Sequence, residues 1–149
     1  MESSPALVDD LAEVILQLGS LAAPRRGLSR TAAATLTRLQ RSGPTRLTEL
    51  ATAEGVTQPS MSTLVARLVD QGLVRRGGDP QDARVVVLDL TSAGEDLLAQ
   101  RRAERAERLT QALAELSRDD ASRITGAVPA LTRLADALRR SPTPQEVNR

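Results

Sequence analysis

Apolar residues recur at helical spacing over most of the chain. Leu7, Leu11, Val14, Ile15, Leu18, Leu21 and Ala22 fall on one face of a helix predicted over residues 6–22, which Pro24 and Gly27 end. Ser29 then caps a second helix that stops near Ser42-Gly43-Pro44. Thr45 opens a short third helix holding Leu47, Leu50 and Ala51, broken at Gly55. Thr57 caps a fourth that runs to about Gln71 and is closed by Gly72.

The pattern changes after Gly72. Leu73-Val74-Arg75-Arg76 reads as a strand, residues 77–82 are rich in turn formers, and the β-branched residues 85–90 read as a second strand. A lone hairpin of this size is marginally stable and must lean on helices. Helical spacing returns over residues 91–116 around a charged centre, where pairs such as Glu104 and Arg108 lie four apart. Ser117-Arg118-Asp119-Asp120 caps a last helix with Ile124, Val128, Leu131, Leu134 and Leu138 on its apolar face and Pro129 as a bend. Residues 141–149 read as a flexible tail.

The expected fold is therefore mostly α, six helices with a two-stranded hairpin. A short helix, a glycine turn, a second helix and a hairpin is the order of a winged helix-turn-helix. Ala51 is small enough for two helices to cross closely, and Leu50, Val56, Met61 and Leu64 pin them. Met61, Leu64, Val65 and Leu68 make one face of the fourth helix. Ser60, Ser62, Thr63, Arg67 and Asp70 make the other, with Gln58 and Pro59 at the N-terminal tip. Short hydroxyl and amide side chains at an exposed helix start can bond base edges or phosphates without crowding. An ordinary amphipathic helix with a solvated outer face has the same pattern.

Composition narrows the chemistry. The 149 residues include no Cys, His, Trp, Tyr or Phe, and all 20 basic residues are Arg. Disulfides, thiol switches and zinc sites built on Cys or His are excluded. So are catalytic triads with a His base and aromatic platforms for single-stranded bases. No metal and no cofactor is expected, and an enzyme would have to work with Asp, Glu, Ser, Thr or Arg alone. The acids Asp9-Asp10 and Asp119-Asp120 read as helix-start charges rather than a catalytic pair. Net charge is only +1, yet residues 25–90 carry ten Arg against six acids. No run is apolar and long enough to cross a membrane, and the N-terminal residues lack an export pattern, so a cytoplasmic protein is expected.

Gly72-Leu73-Val74-Arg75-Arg76, then Asp79-Pro80-Gln81-Asp82-Ala83-Arg84, then residues 85–90 with Thr91 and Gly94, strongly resemble the MarR family of bacterial transcription regulators. Thr57-Gln58-Pro59-Ser60-Met61-Ser62 is similar to the recognition-helix start in one branch of that family. The resemblance covers roughly residues 45–98, and helix order and length extend it across nearly the whole chain. It implies a homodimer paired through residues 1–28 and 91–140, with residues 29–90 as the winged DNA-binding region. Two recognition helices would read the halves of a near-palindromic operator in double-stranded DNA.

The resemblance also implies that Arg84 enters the minor groove and that Asp82 holds it there, a motive for which is the concentrated negative potential of a narrow groove. The DNA-binding candidates are Thr45, Arg46, Thr57, Gln58, Pro59, Ser60, Ser62, Thr63, Arg67, Arg75, Arg76, Asp82 and Arg84. Among them Gln58, Ser62 and Thr63 are expected to read bases, and Arg46, Arg75 and Arg76 to meet phosphates. Two residues depart from the family pattern. Ala83 stands where a basic residue is frequent, and Glu54 where helix-turn-helix proteins usually place an apolar one. The expected function is a dimeric regulator, a repressor as most of the family are, with release by a small-molecule effector left open. The alternative is a winged-helix interaction module that does not bind DNA.

Overall fold

A computed structural model describes residues 4–22, 27–78 and 85–140. Its elements, in order, are α1 (Pro5–Leu21), α2 (Arg30–Ser42), β1 (Thr45–Arg46), α3 (Leu47–Ala53), α4 (Gln58–Asp70), β2 (Val74–Gly78), β3 (Val86–Leu90), α5 (Ser92–Ala114) and α6 (Arg118–Arg140). Two compact units divide the chain after Ala106.

The first unit holds the core. Leu36 and Leu39 of α2, Leu50 and Ala51 of α3, and Met61, Val65 and Leu68 of α4 are buried together with Val74, Leu88, Leu90 and Leu98. The predicted apolar face of the fourth helix is thus the face that α4 buries. Caps fix where the helices start: the Ala32 amide donates to Ser29 Oγ at 3.1 Å, and the Ser60 amide to Thr57 Oγ1 at 3.4 Å. In contrast, α1 buries none of its residues, and Leu7, Leu11, Val14, Ile15 and Leu18 are exposed on it.

The sheet corrects the sequence reading. It has three antiparallel strands in the order β1-β3-β2, not two. Thr45 and Arg46, expected to open the third helix, pair instead with Leu88 and Val87. A two-residue strand is too short to show the alternation by which strands are recognised. Gly77 and Gly78, expected in the turn, extend β2 and pair with Val87 and Val86. Residues 79–84, which contain the rest of that turn, lie outside the described residues, as do residues 141–149.

In the second unit, α6 begins as expected. The Asp120 amide donates to Ser117 Oγ, and Ser117 Oγ donates to Asp120 Oδ2. The helix contains Pro129 and buries none of its residues; Ile124, Val128, Leu131, Leu134 and Leu138 are all exposed.

Candidate nucleic-acid interface

The turn between α3 and α4 sets the polar face of α4. The Gly55 amide donates to the Thr52 carbonyl at 3.2 Å and the Val56 amide to the Ala51 carbonyl at 3.0 Å. This paired bonding closes a helix with a left-handed residue, and Gly55 supplies it at φ +63°. The chain re-enters a helix at once, because Thr57 caps α4 and its carbonyl accepts from the Met61 amide at 2.9 Å.

Thr57, Gln58, Pro59, Ser60, Ser62, Thr63 and Arg67 are all exposed, so α4 brings these seven sequence candidates together on one element. Their hydrogen-bonding capacity differs. Thr57 Oγ1 donates to Ser60 Oγ at 2.9 Å, and Thr63 Oγ1 donates to the Pro59 carbonyl at 3.1 Å. The Thr63 hydroxyl can then act outward only as an acceptor. Gln58 and Ser62 make no side-chain hydrogen bond among the described residues and keep both donor and acceptor capacity. In the first turn Pro59 has no N–H and the Ser60 amide is taken by Thr57, which leaves Gln58 the outward backbone donor.

The cationic candidates separate. Arg75 faces Asp89 across the β2–β3 ladder, and its Nε and Nη2 both donate to Asp89 Oδ2, Nε at 3.0 Å. Asp89 therefore offsets the Arg75 charge within the sheet, which makes Arg75 a weaker phosphate candidate than its type suggests. Arg46 and Arg76 are exposed on β1 and β2. Thr45, expected at the interface, is instead buried, with Oγ1 donating to the Gly43 carbonyl at 2.9 Å. Its burial on the edge strand removes its side chain from the candidate surface. Asp82 and Arg84 lie outside the described residues.

Three supporting contacts escaped the sequence reading. Arg38 of α2 donates to Glu54 at the end of α3, at 3.1 Å. Arg102 of α5 donates to Gln40 of α2, also at 3.1 Å. Thr91, quoted only as part of a motif, bonds across to the end of α4. The Glu54 anomaly was the one signal available for the first of these; long-range pairing of exposed side chains leaves no periodic trace in a sequence.

Comparison with known proteins follows the same lines. A sequence model described as MarR family matches residues 28–86. The HTH-type transcriptional regulator Mb0904 of Mycobacterium bovis is 30% identical over 139 residues, spanning 91% of this chain and 97% of that protein. Among solved structures, the transcriptional regulator Tm0710 from Thermotoga maritima matches with a TM-score of 0.77 at 22% identity, over 93% of this chain and 100% of that one. A mutant of MepR from S. aureus, solved bound to an oligodeoxyribonucleotide, matches with a TM-score of 0.65 at 20% identity, over 92% and 99% of the two chains.

Proposed function

Because the chain belongs to the MarR family, whose members are transcriptional regulators and not enzymes, we propose that it acts as a homodimer that binds a near-palindromic operator in double-stranded DNA and represses transcription from it. The observation that carries the DNA reading is the exposed row Gln58, Ser62, Thr63 and Arg67 on a helix whose other face is locked into the core. Such a helix can lie in a major groove with its N-terminal side chains against base edges. The oligonucleotide bound to the MepR mutant supports the same use of this fold.

In this reading Gln58 and Ser62 read bases as donor and acceptor, Thr63 reads as an acceptor, and Arg67, Arg76 and Arg46 meet phosphates. Asp82 and Arg84 keep the wing role that the family resemblance implies. The same reading assigns residues 29–90 to DNA binding, and residues 1–28 and 91–140 to pairing of the two chains. The apolar faces exposed on α1 and α6 support pairing, since a second copy is what would remove them from water. Among the described residues no helix is long and apolar enough to cross a membrane, and a regulator of genes works in the cytoplasm. A small-molecule effector, where one exists, would act by changing the separation of the two recognition helices.

Selection of genomic DNA fragments on the purified protein tests the proposal. Enriched fragments sharing a two-fold motif are expected. Absence of enrichment at low salt, where phosphate contacts are strongest, would overturn the DNA reading and leave the interaction module.

A further inference from the structure

Thr91 sits between β3 and α5 and makes contacts in both directions. Its Oγ1 donates to the Gly72 carbonyl at 2.6 Å and accepts from the Gly94 amide at 3.1 Å. Its own amide donates to the Leu73 carbonyl at 3.1 Å, and its carbonyl accepts from the Glu95 amide at 2.9 Å. Gly72 and Leu73 are the residues that close α4: their amides return to Val69 and Leu68, at 2.8 and 2.9 Å. One threonine thus caps the start of α5 and holds the end of α4.

The approach is close as well as bonded. A Cβ on Gly94 would lie 2.4 Å from the Leu73 carbonyl oxygen and 2.6 Å from Leu90 Cδ1. Neither neighbour has room to give, because Leu90 is buried and pairs with Val74 in the ladder. The first turn of α5 is therefore seated directly on the chain leaving α4, with no intervening loop to absorb rotation. Arg102, about two turns further along α5, is tied to Gln40 of α2 at 3.1 Å. A change in the direction of this part of α5 must carry α4 with it.

We infer that Thr91 is a positioning residue for DNA recognition, locking α4 to α5 so that the pairing of two chains fixes the separation and angle of their recognition helices. The inference rests on the proposed dimeric DNA reading and deepens it. Thr91 touches no DNA in this account; it sets how strictly half-site spacing is read. One base pair more or less between half-sites turns them by about a tenth of a helical turn, which a rigid pair of helices rejects and a loosened pair tolerates.

The test uses the full chain and duplexes carrying two half-sites from the genomic selection, with the spacer changed by one or two base pairs. Thr91→Val keeps the shape and removes the hydroxyl, whereas Thr91→Ser restores it. The parent should prefer its best spacing by about tenfold or more over its neighbours. Thr91→Val should narrow that ratio by about threefold or more, through loss of the bonds to Gly72 and Gly94, while affinity for unrelated duplex stays unchanged. Thr91→Ser should return the ratio to the parent value. If Thr91→Val lowers affinity by one factor at all spacings, or leaves the ratio unchanged, Thr91 is only a structural cap and the inference is overturned. A parent that binds no duplex overturns the DNA reading and this inference with it, and the two failures are told apart by the parent alone.

Discussion

Arg38 Nε lies 3.1 Å from Glu54 Oε1, which ties α2 to the end of α3 at the turn that launches α4. Glu54 occupies a position where helix-turn-helix proteins usually bury an apolar side chain. Its side chain is only 13% exposed, whereas that of Arg38 is 43% exposed. The carboxylate is held near the protein surface by a partner that reaches into solvent, and the turn keeps its ordinary geometry.

Solvent screening limits what this pair contributes. Arg38→Ala should lower unfolding free energy by no more than about 1 kcal/mol, and less in high salt. Glu54→Leu should be close to neutral or mildly stabilising, because it replaces a half-desolvated charge with an apolar side chain at a site that suits one. Urea denaturation of both single variants and the double variant, at low and high salt, measures the coupling. A loss of several kcal/mol for Glu54→Leu would show that the carboxylate organises the turn.

Thr35 gives a prediction of opposite sign. It is fully buried in α2, and its Oγ1 has no hydrogen-bond partner among the described residues. An unmet buried hydroxyl costs folding free energy that an isosteric methyl does not. Thr35→Val should therefore raise stability by about 1–2 kcal/mol, seen as a higher urea midpoint at unchanged slope. A destabilised variant would mean that the hydroxyl finds a partner in solution.

Oxidation should leave the protein in place on DNA. The chain has no Cys, and Met61, the sulfur of α4, is fully buried in the core. Mild peroxide should not change DNA affinity, and Met61→Leu should cost less than about 1.5 kcal/mol, as volume-conserving core swaps do. Release by peroxide from the parent but not from Met61→Leu would show that the core opens far enough to expose the thioether.

The proposed pairing of two chains predicts a specific sensitivity on α1 and α6. Leu18 and Leu131 are exposed on faces that bury nothing in the single chain. Light scattering of the parent at micromolar concentration should give the mass of a dimer. Leu18→Glu or Leu131→Glu should weaken pairing by about 30-fold or more, as loss of an interface anchor does. A parent that stays monomeric would remove the basis for reading two half-sites together.

Most of this architecture was legible because its signals are local. Ser29, Thr57 and Ser117 each announce a helix start through their own side chains, and the apolar face of residues 61–68 is the buried face. The missing strand, Thr45–Arg46, is specified by Leu88 and Val87 some forty residues away, so no local pattern could reveal it. Burial of Thr45 follows from that pairing. Arg75 looked like a free cation because Asp89 becomes its neighbour only when the hairpin closes. The seven candidates on α4 and its cap are all exposed and lie together, since one short helix carries them.

Helix and wing should separate in their effects on DNA. Gln58→Ala, Ser62→Ala and Thr63→Ala should each relax preference at particular base pairs and leave non-specific binding nearly unchanged; the first two should have the larger effects, because their side chains keep both donor and acceptor capacity. Arg67→Ala and Arg76→Ala should weaken binding to all sequences and reduce the salt slope by about one each. Arg75→Ala should alter the slope less, since Asp89 already offsets that charge. In the wing, Arg84→Ala should cost about 1–3 kcal/mol per half-site, and Asp82→Ala should reproduce part of that loss if it orients the Arg84 guanidinium. The double variant should then be little worse than Arg84→Ala alone, because the two side chains act as one unit. Titrations of each variant on a selected operator and on unrelated duplex, at several salt concentrations, decide the matter. Independent addition of the Asp82 and Arg84 losses would mean that Asp82 does not work through Arg84. An unchanged affinity and slope for Arg84→Ala would place the anchor of the wing elsewhere.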